Sequence, residues 1–140
     1  MSIGKHFTCE VVTIDKNAAL KVAAQLMFDK NTGSVVVTEN EEPVGLFTDR
    51  DLASCVVNEQ NINELKVADA MSTDLLTIKN TQGMQDALEA MAKQGVRRAP
   101  VVDDKGKLVG IITTDDVVKI LADEFSKLSQ IVHQQDAVTH

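Results

Sequence analysis

The chain has 140 residues, a formal net charge of −7, and apolar and aromatic fractions of 44% and 3%. This length fits one compact body with an aliphatic core, and the acidic balance disfavours a nucleic-acid backbone as the main partner, because that partner requires a basic face. No apolar run is long enough to cross a membrane and the first residues lack an apolar signal core, so we expect a cytoplasmic protein.

The first part of the chain, residues 1–57, is predicted to form three strands and two helices. The strands lie near residues 10–14, 34–38 and 44–47. The first helix follows Asn17, and its apolar residues recur at helical spacing, at Leu20, Ala23, Leu26 and Met27. A short polar turn joins the second and third strands, which is typical of a hairpin, and the second helix begins near Asp49.

A polar linker at residues 58–65 leads to residues 66–134, which repeat this order. A short helical turn at 66–71 matches a segment at 3–7. The strands are predicted near residues 74–78, 99–103 and 108–112. One helix follows Asn80 and Thr81, which predict an N-cap, and carries Met84, Ala87, Leu88 and Met91 at helical spacing. The last helix begins near Thr114.

The chain is therefore an internal duplication. Residues 11–14 (VVTI) return as residues 75–78 (LLTI), and residues 45–52 (GLFTDRDL) return as residues 110–117 (GIITTDDV). Two copies of this length are not a solenoid, and they predict two half-domains around a pseudo-twofold axis. The fold class is α/β, of the α+β type, with two strand–helix–strand–strand–helix repeats. Equivalent loops would surround a shared cleft, the usual position of a ligand site.

The last helix carries an apolar stripe that continues past the end of the repeat. Its members are Val117, Ile120, Leu121, Phe125, Leu128, Ile131 and Val132. One copy needs only part of this stripe for its own core. The surplus has two interpretations, which are contact with a second subunit and packing back over the chain's own sheet. Residues 135–140 are predicted to form a polar tail.

The sequence Gly–apolar–apolar–Thr–x–x–Asp occurs in both copies, and places Thr48 with Asp51 and Thr113 with Asp116 where a strand becomes a helix. One interpretation is a capping box, in which Thr and the acid satisfy free N–H groups at the helix start. The other is a ligand site, because a helix N-terminus attracts anions and a carboxylate can accept hydrogen bonds from sugar hydroxyls. Two copies facing one cleft favour the ligand interpretation.

These residues together resemble a pair of CBS domains, the regulatory modules named after cystathionine beta-synthase. The resemblance covers residues 3–125 and rests on the duplicated unit, on both Thr-x-x-Asp ends, and on residues 67–72 (VADAMS) and 95–103 (GVRRAPVVD). It implies a non-enzymatic sensor that binds AMP, ADP, ATP or S-adenosylmethionine between the repeats. It also implies a homodimer, which could act on an effector protein.

The resemblance assigns roles to individual residues. Asp51 and Asp116 would hold ribose hydroxyls beside Thr48 and Thr113. Arg97 and Arg98 would meet phosphate, and apolar groups at residues 7–11 and 71–75 would flank adenine. The first copy has Thr32 and Gly33 where the second has the arginines, so phosphate binding at one cleft is expected rather than at two. The sequence leaves open which Asp shares a cleft with the arginines.

The sequence also permits three other interpretations. The sequence from Asp49 to Asp51 resembles the Asp-x-Asp of aspartate-nucleophile phosphatases, but the second copy repeats only the second acid, so we expect no enzyme. The acid pairs at residues 103–104 and 115–116 fit a turn and a helix start better than a metal site, and Cys9 and Cys55 fit reduced thiols. The remaining alternative is a dimerisation module whose cleft takes no ligand.

Overall fold

The computed structural model describes residues 4–7 and 11–139. The elements of the first copy are α1 (Gly4–Phe7), β1 (Thr13–Asp15), α2 (Leu20–Asp29), β2 (Ser34–Glu39), β3 (Glu42–Thr48) and α3 (Asp49–Val57). Those of the second copy are α4 (Val67–Ala70), β4 (Ile78–Lys79), α5 (Met84–Gln94), β5 (Arg98–Val102), β6 (Leu108–Thr113) and α6 (Thr114–Thr139). The predicted α/β fold with two strand–helix–strand–strand–helix repeats is confirmed.

Each copy forms its own three-stranded sheet, in the orders β1-β2-β3 and β4-β5-β6. The first two strands of each sheet are parallel and are connected through a helix, and the last two form an antiparallel hairpin. The hairpin strands and the starts of α3 and α6 lie within one or two residues of their predicted positions. The first strands are shorter than predicted, because only residues from Thr13 and from Ile78 onward pair as strand.

The predicted N-cap of α5, at Asn80 and Thr81, is wrong, and α2 follows Asn17 as predicted. The caps are Ala19 and Gly83, and neither makes a side-chain capping bond. In the first copy a different group satisfies the helix start, since the N–H of Leu20 donates to the carbonyl of Leu65 in the linker at 2.9 Å. A tertiary partner of this kind is invisible to a local cap pattern.

The two copies exchange their opening helices. Phe7, from α1 of the first copy, is buried in the core of the second copy with Ile78, Met91 and Ile112. Val67, from α4 of the second copy, is buried in the core of the first. Two equivalent backbone bonds support this exchange, from the N–H of Gly4 to the carbonyl of Asn80 at 3.1 Å and from the N–H of Ala68 to that of Lys16 at 2.9 Å. Separating the copies would therefore open both cores.

The strand β3 meets the segment that follows α4. Leu46 and Ser72 exchange two backbone hydrogen bonds, of 3.0 and 2.8 Å. A Cβ atom built on the neighbouring Gly45 would lie 2.8 Å from the Ser72 carbonyl oxygen and 2.8 Å from the Met71 sulfur. The glycine that opens the repeated motif therefore has a structural role in the first copy, because it permits this close approach.

The helix α6 decides between the two interpretations of the apolar stripe. Val117 is 3% exposed and Ile120 is half-buried, but every residue from Leu121 to Gln134 is exposed. The interpretation that the surplus stripe packs back over the chain's own sheet is therefore wrong. The helix has 26 residues and continues through residues 135–139, where the sequence predicted a polar tail. At 1.5 Å per residue it is about 39 Å long, and most of it extends beyond the repeat.

We expect the substitution Gly45→Ala to lower the free energy of unfolding by about 1–3 kcal/mol, since the added methyl overlaps a backbone carbonyl that cannot rotate away. Urea denaturation measures the loss. Gly33→Ala is the matched control, because its methyl would lie 3.2 Å from the carboxylate of exposed Asp49, which can move. Equal losses in the two variants would show that the approach of Ser72 is not the cause.

Candidate functional site

The Thr-x-x-Asp element of the first copy is a complete capping box. The Oγ1 of Thr48 accepts from the N–H of Asp51 at 3.2 Å, and Oδ2 of Asp51 accepts from the N–H of Thr48 at 2.9 Å. The Thr48 hydroxyl also lies 3.1 Å from the same Oδ2 and donates to it. The Asp51 carboxylate is therefore engaged by the start of its own helix, as the capping interpretation predicted.

The same element of the second copy is only half a capping box. The N–H of Asp116 donates to Oγ1 of Thr113 at 3.1 Å, but no described residue donates to the Asp116 carboxylate. Asp116 is exposed and forms no ion pair with the part of the chain that the structure describes. Its oxygens are therefore available to an external donor, such as a pair of hydroxyl groups.

Strand register identifies the residues that face the two motifs. Ser34 pairs with Thr48 across the first hairpin, and Arg98 pairs with Thr113 across the second. The carbonyls of the preceding residues, Gly33 and Arg97, each accept a hydrogen bond of 2.9 Å from the first N–H of the following helix. Ser34 and Arg98 are thus equivalent positions.

This register corrects the sequence alignment by one residue. The counterparts of the two arginines are Gly33 and Ser34, rather than Thr32 and Gly33. The extra residue of the second copy lies in the turn between β5 and β6, beyond the arginines, and the sequence alone did not locate it. The absence of a cation at this place in the first copy is unchanged by the shift.

The two equivalent positions touch each other. An Nη1–H of Arg98 donates to the Oγ of Ser34. Because equivalent residues can meet only at the axis that relates them, the pseudo-twofold axis passes between these side chains. Arg98 is half-buried and Ser34 is 8% exposed, so the contact lies inside the interface between the copies.

A cleft of about 200 Å³ lies beside this contact. Its lining residues come from both copies and are Val11, Val12, Thr32, Ser34, Val36, Arg98, Ile111 and Thr113. Arg98 therefore shares a cleft with Thr113 of the second copy, three residues before Asp116 in the chain. The cleft has a cation and hydroxyls at one end and an apolar wall along the strands.

The other predicted site residues lie elsewhere. Thr48, Asp51 and Asp116 do not line this cleft, and Arg97 is exposed and is not among its lining residues. Of the segment expected to flank adenine, Val11 lines the cleft, while residues 8–10 lie outside the described part of the chain. Sequence reasoning missed Ser34, Val36 and Ile111. Ile111 could have been predicted from Thr113, because alternate residues of a strand lie on the same face.

A larger cavity of about 500 Å³ lies where the two hairpin turns meet, lined in part by Glu41, Asp103 and Lys107. Its charged side chains form hydrogen bonds with backbone groups of the turns. The Lys107 ammonium donates to the Asn40 carbonyl at 2.7 Å, and Asp103 accepts two backbone N–H groups at 2.9 Å. We place the candidate site in the smaller cleft, because there Arg98 and Thr113 stand beside apolar strand residues of both copies.

The described residues hold no group of three or more His, Cys, Asp or Glu side chains that could bind a metal ion. None of their helices combines the length and the apolar character that crossing a membrane requires.

Comparison with known proteins identifies the family. The CBS domain matches this chain twice, over residues 3–58 and 67–123. The CBS domain-containing protein YhcV of Bacillus subtilis is 33% identical over 136 residues, which are 95% of this chain and 96% of that protein. The protein MK0525 of Methanopyrus kandleri is 35% identical over 122 residues, or 86% of this chain, and the match spans only 62% of that longer protein.

Solved structures of CBS domain pairs have a similar fold. The CBS domain pair of protein MJ0100, solved in complex with 5′-methylthioadenosine and S-adenosyl-L-methionine, superposes with a TM-score of 0.76 at 19% identity, covering 89% of this chain and 98% of that one. The chain belongs to the CBS domain family, and its two repeats form a CBS domain pair. Domains of this family are regulatory ligand-binding modules rather than catalytic units.

The difference between the two motifs is testable by stability. We expect Asp51→Ala to lower the free energy of unfolding by about 1 kcal/mol more than Asp116→Ala, because only Asp51 accepts hydrogen bonds from its cap residue. Both variants lose the same favourable charge near a helix N-terminus, so this effect cancels in the comparison. Urea midpoints give the difference, and equal losses would mean that Asp116 also closes its cap in solution.

Proposed function

We propose that the protein is a non-enzymatic regulatory module that binds an adenosine-containing ligand in the cleft between its repeats. The candidate ligands are AMP, ADP, ATP and S-adenosylmethionine. The observation that supports this most is the open Asp116 carboxylate next to Thr113, in the copy whose cleft also holds Arg98. The complex of the MJ0100 domain pair with two adenosine compounds supports the same class of ligand.

The cleft and the adjoining start of α6 together offer groups for each part of such a ligand. The Asp116 carboxylate would accept hydrogen bonds from both ribose hydroxyls, and Thr113 would add a further polar contact. Arg98 would bind phosphate, because a guanidinium makes charge-assisted and often bidentate hydrogen bonds with its oxygens. Val36 and Ile111 would pack on the base. Arg97 is exposed and would contribute only long-range attraction for an anion.

The first copy is the weaker candidate for a second site. Thr48 and Asp51 already hydrogen-bond each other, so ribose binding there would first have to break a capping box. Its residue at the pseudo-twofold axis is Ser34, which carries no charge. One ligand with phosphate per chain therefore fits these residues better than two.

Binding in this cleft would be transmitted through the interface. The lining residues come from both copies, so a ligand that prefers one relative arrangement of the repeats shifts the protein towards it. The recipient of that change would be an effector protein or the protein's own assembly. A cytoplasmic location is part of this proposal, and Cys55 as a buried free thiol agrees with it.

Calorimetry tests the ligand class. We expect AMP to bind with a dissociation constant below about 1 mM, which corresponds to a binding free energy of about −4 kcal/mol. Arg98→Ala should weaken AMP by about 1.5–3 kcal/mol and leave adenosine unchanged, since only AMP offers phosphate to the guanidinium. Arg97→Ala is the matched control and should have a small effect on both.

Two results would contradict the proposal. If AMP, ADP, ATP and S-adenosylmethionine all fail to bind below millimolar concentration, the protein is not a sensor of these ligands. If Arg98→Ala weakens AMP and adenosine equally, Arg98 does not bind phosphate.

We also propose a homodimer through α6. Val118, Leu121, Phe125, Leu128 and Val132 are between 52% and 72% exposed, and their spacings of three and four residues match the a and d positions of a coiled coil. Most of the stability of a helix in a protein comes from packing of its apolar face rather than from helix propensity, and an exposed apolar seam is stabilised by pairing with a second helix of the same period. A second copy supplies that helix, and the same observation supports the alternative function, a dimerisation module without ligand.

Sedimentation at micromolar concentration should give twice the chain mass of 15.2 kDa. Leu128→Glu should shift the protein to a monomer, because it would place a charge in the apolar seam of both helices. Gln130→Glu adds the same charge at an exposed position outside the seam, and should leave the dimer intact. A monomeric wild-type protein would exclude the dimer, and a dimeric Leu128→Glu variant would exclude α6 as its interface.

A further inference from the structure

Ser34 is the one polar side chain that is buried among the described residues, with 8% of its surface exposed. A buried hydroxyl is unfavourable unless it has a hydrogen-bond partner, and here that partner is the guanidinium of Arg98 from the other copy. The Thr32 side chain forms hydrogen bonds with both backbone polar groups of Ser34. Its Oγ1 donates to the Ser34 carbonyl at 3.1 Å and accepts from the Ser34 N–H at 3.4 Å.

This contact restricts an otherwise flexible side chain. Arginine has many rotamers, and ordering it only on ligand binding would reduce affinity. Arg98 begins on β5 opposite Thr113, and Ser34 holds its far end at the wall of the cleft. The guanidinium is therefore already ordered beside the open motif.

We propose that Ser34 is a positioning residue for the anion-binding end of the cleft. The first copy thereby contributes to phosphate recognition in the second, although its own motif is closed. This inference rests on the proposed function of the cleft, and it adds the residue that sets the preference for a phosphorylated over an unphosphorylated adenosine ligand.

The same contact explains why the two copies carry different residues at this position. Ser34 and Arg98 occupy equivalent positions on either side of the pseudo-twofold axis. Two arginines there would place like charges against each other in a partly buried interface, which is unfavourable. One cation at this position is therefore compatible with a small hydrogen-bond acceptor in the other copy, and the pair of described residues provides one proposed anion site.

A double-mutant cycle tests the role of Ser34. The measured quantity is the ratio of the dissociation constants of adenosine and AMP, in the wild-type chain, Ser34→Ala, Arg98→Ala and the double variant. We expect Ser34→Ala to reduce the preference for AMP by about three- to tenfold, the scale of one lost hydrogen bond. In the Arg98→Ala background the same change should have no further effect, because the side chain that it positions is gone.

Three variants complete the design. Ser34→Thr keeps the hydroxyl and should retain the preference for AMP. Ser34→Cys keeps the size but offers a weak acceptor, so it should behave like Ser34→Ala and replaces that variant if it does not fold. Ser126→Ala, at an exposed position on α6, is the control for the loss of a serine hydroxyl elsewhere.

The outcomes separate this inference from the function on which it rests. If the wild-type chain binds neither ligand, both fail. If it prefers AMP and Ser34→Ala keeps the full preference, the function stands and the positioning role is overturned. A Ser34→Ala variant that loses AMP and adenosine equally also overturns it, because the serine would then shape the cleft without acting through Arg98.

Discussion

The structure depends on the reciprocal exchange of the opening helices. Phe7 completes the core of the second copy and Val67 completes the core of the first, so neither core is whole without the other copy. An apolar residue buried in this way typically contributes about 1.5–3 kcal/mol relative to exposure. The exchange holds the two sheets together and fixes the interface in which the cleft lies. The position of the candidate site is therefore a consequence of how the copies are joined.

The repeated motif shows how one sequence pattern can have two roles. Thr48 and Asp51 cap a helix, while Thr113 uses only its half of the same arrangement and leaves Asp116 open. Spacing alone is the same in the two copies and cannot distinguish them. The hydrogen bonds made by each carboxylate are what differ.

The sequence was sufficient for the fold because repetition and periodicity are local signals. It predicted both repeats, the hairpins, and the helix starts after Thr48 and Thr113. It was insufficient for the site, since the partner of Arg98 is Ser34, which lies 64 residues away in the chain and carries no motif of its own. The exchange of α1 and α4 could not be predicted either, because the sequence of a short helix does not specify which core it packs into.

The Ser34–Arg98 contact has a consequence for the duplication itself. Two separate, identical chains related by a true twofold axis would carry the same residue at both axial positions. A cation there would face its own copy, and a serine would face a serine. Fusion of the repeats into one polypeptide removes this restriction, because each axial position can then change independently. The asymmetry of the proposed anion site is thus a property that only the joined repeats can have.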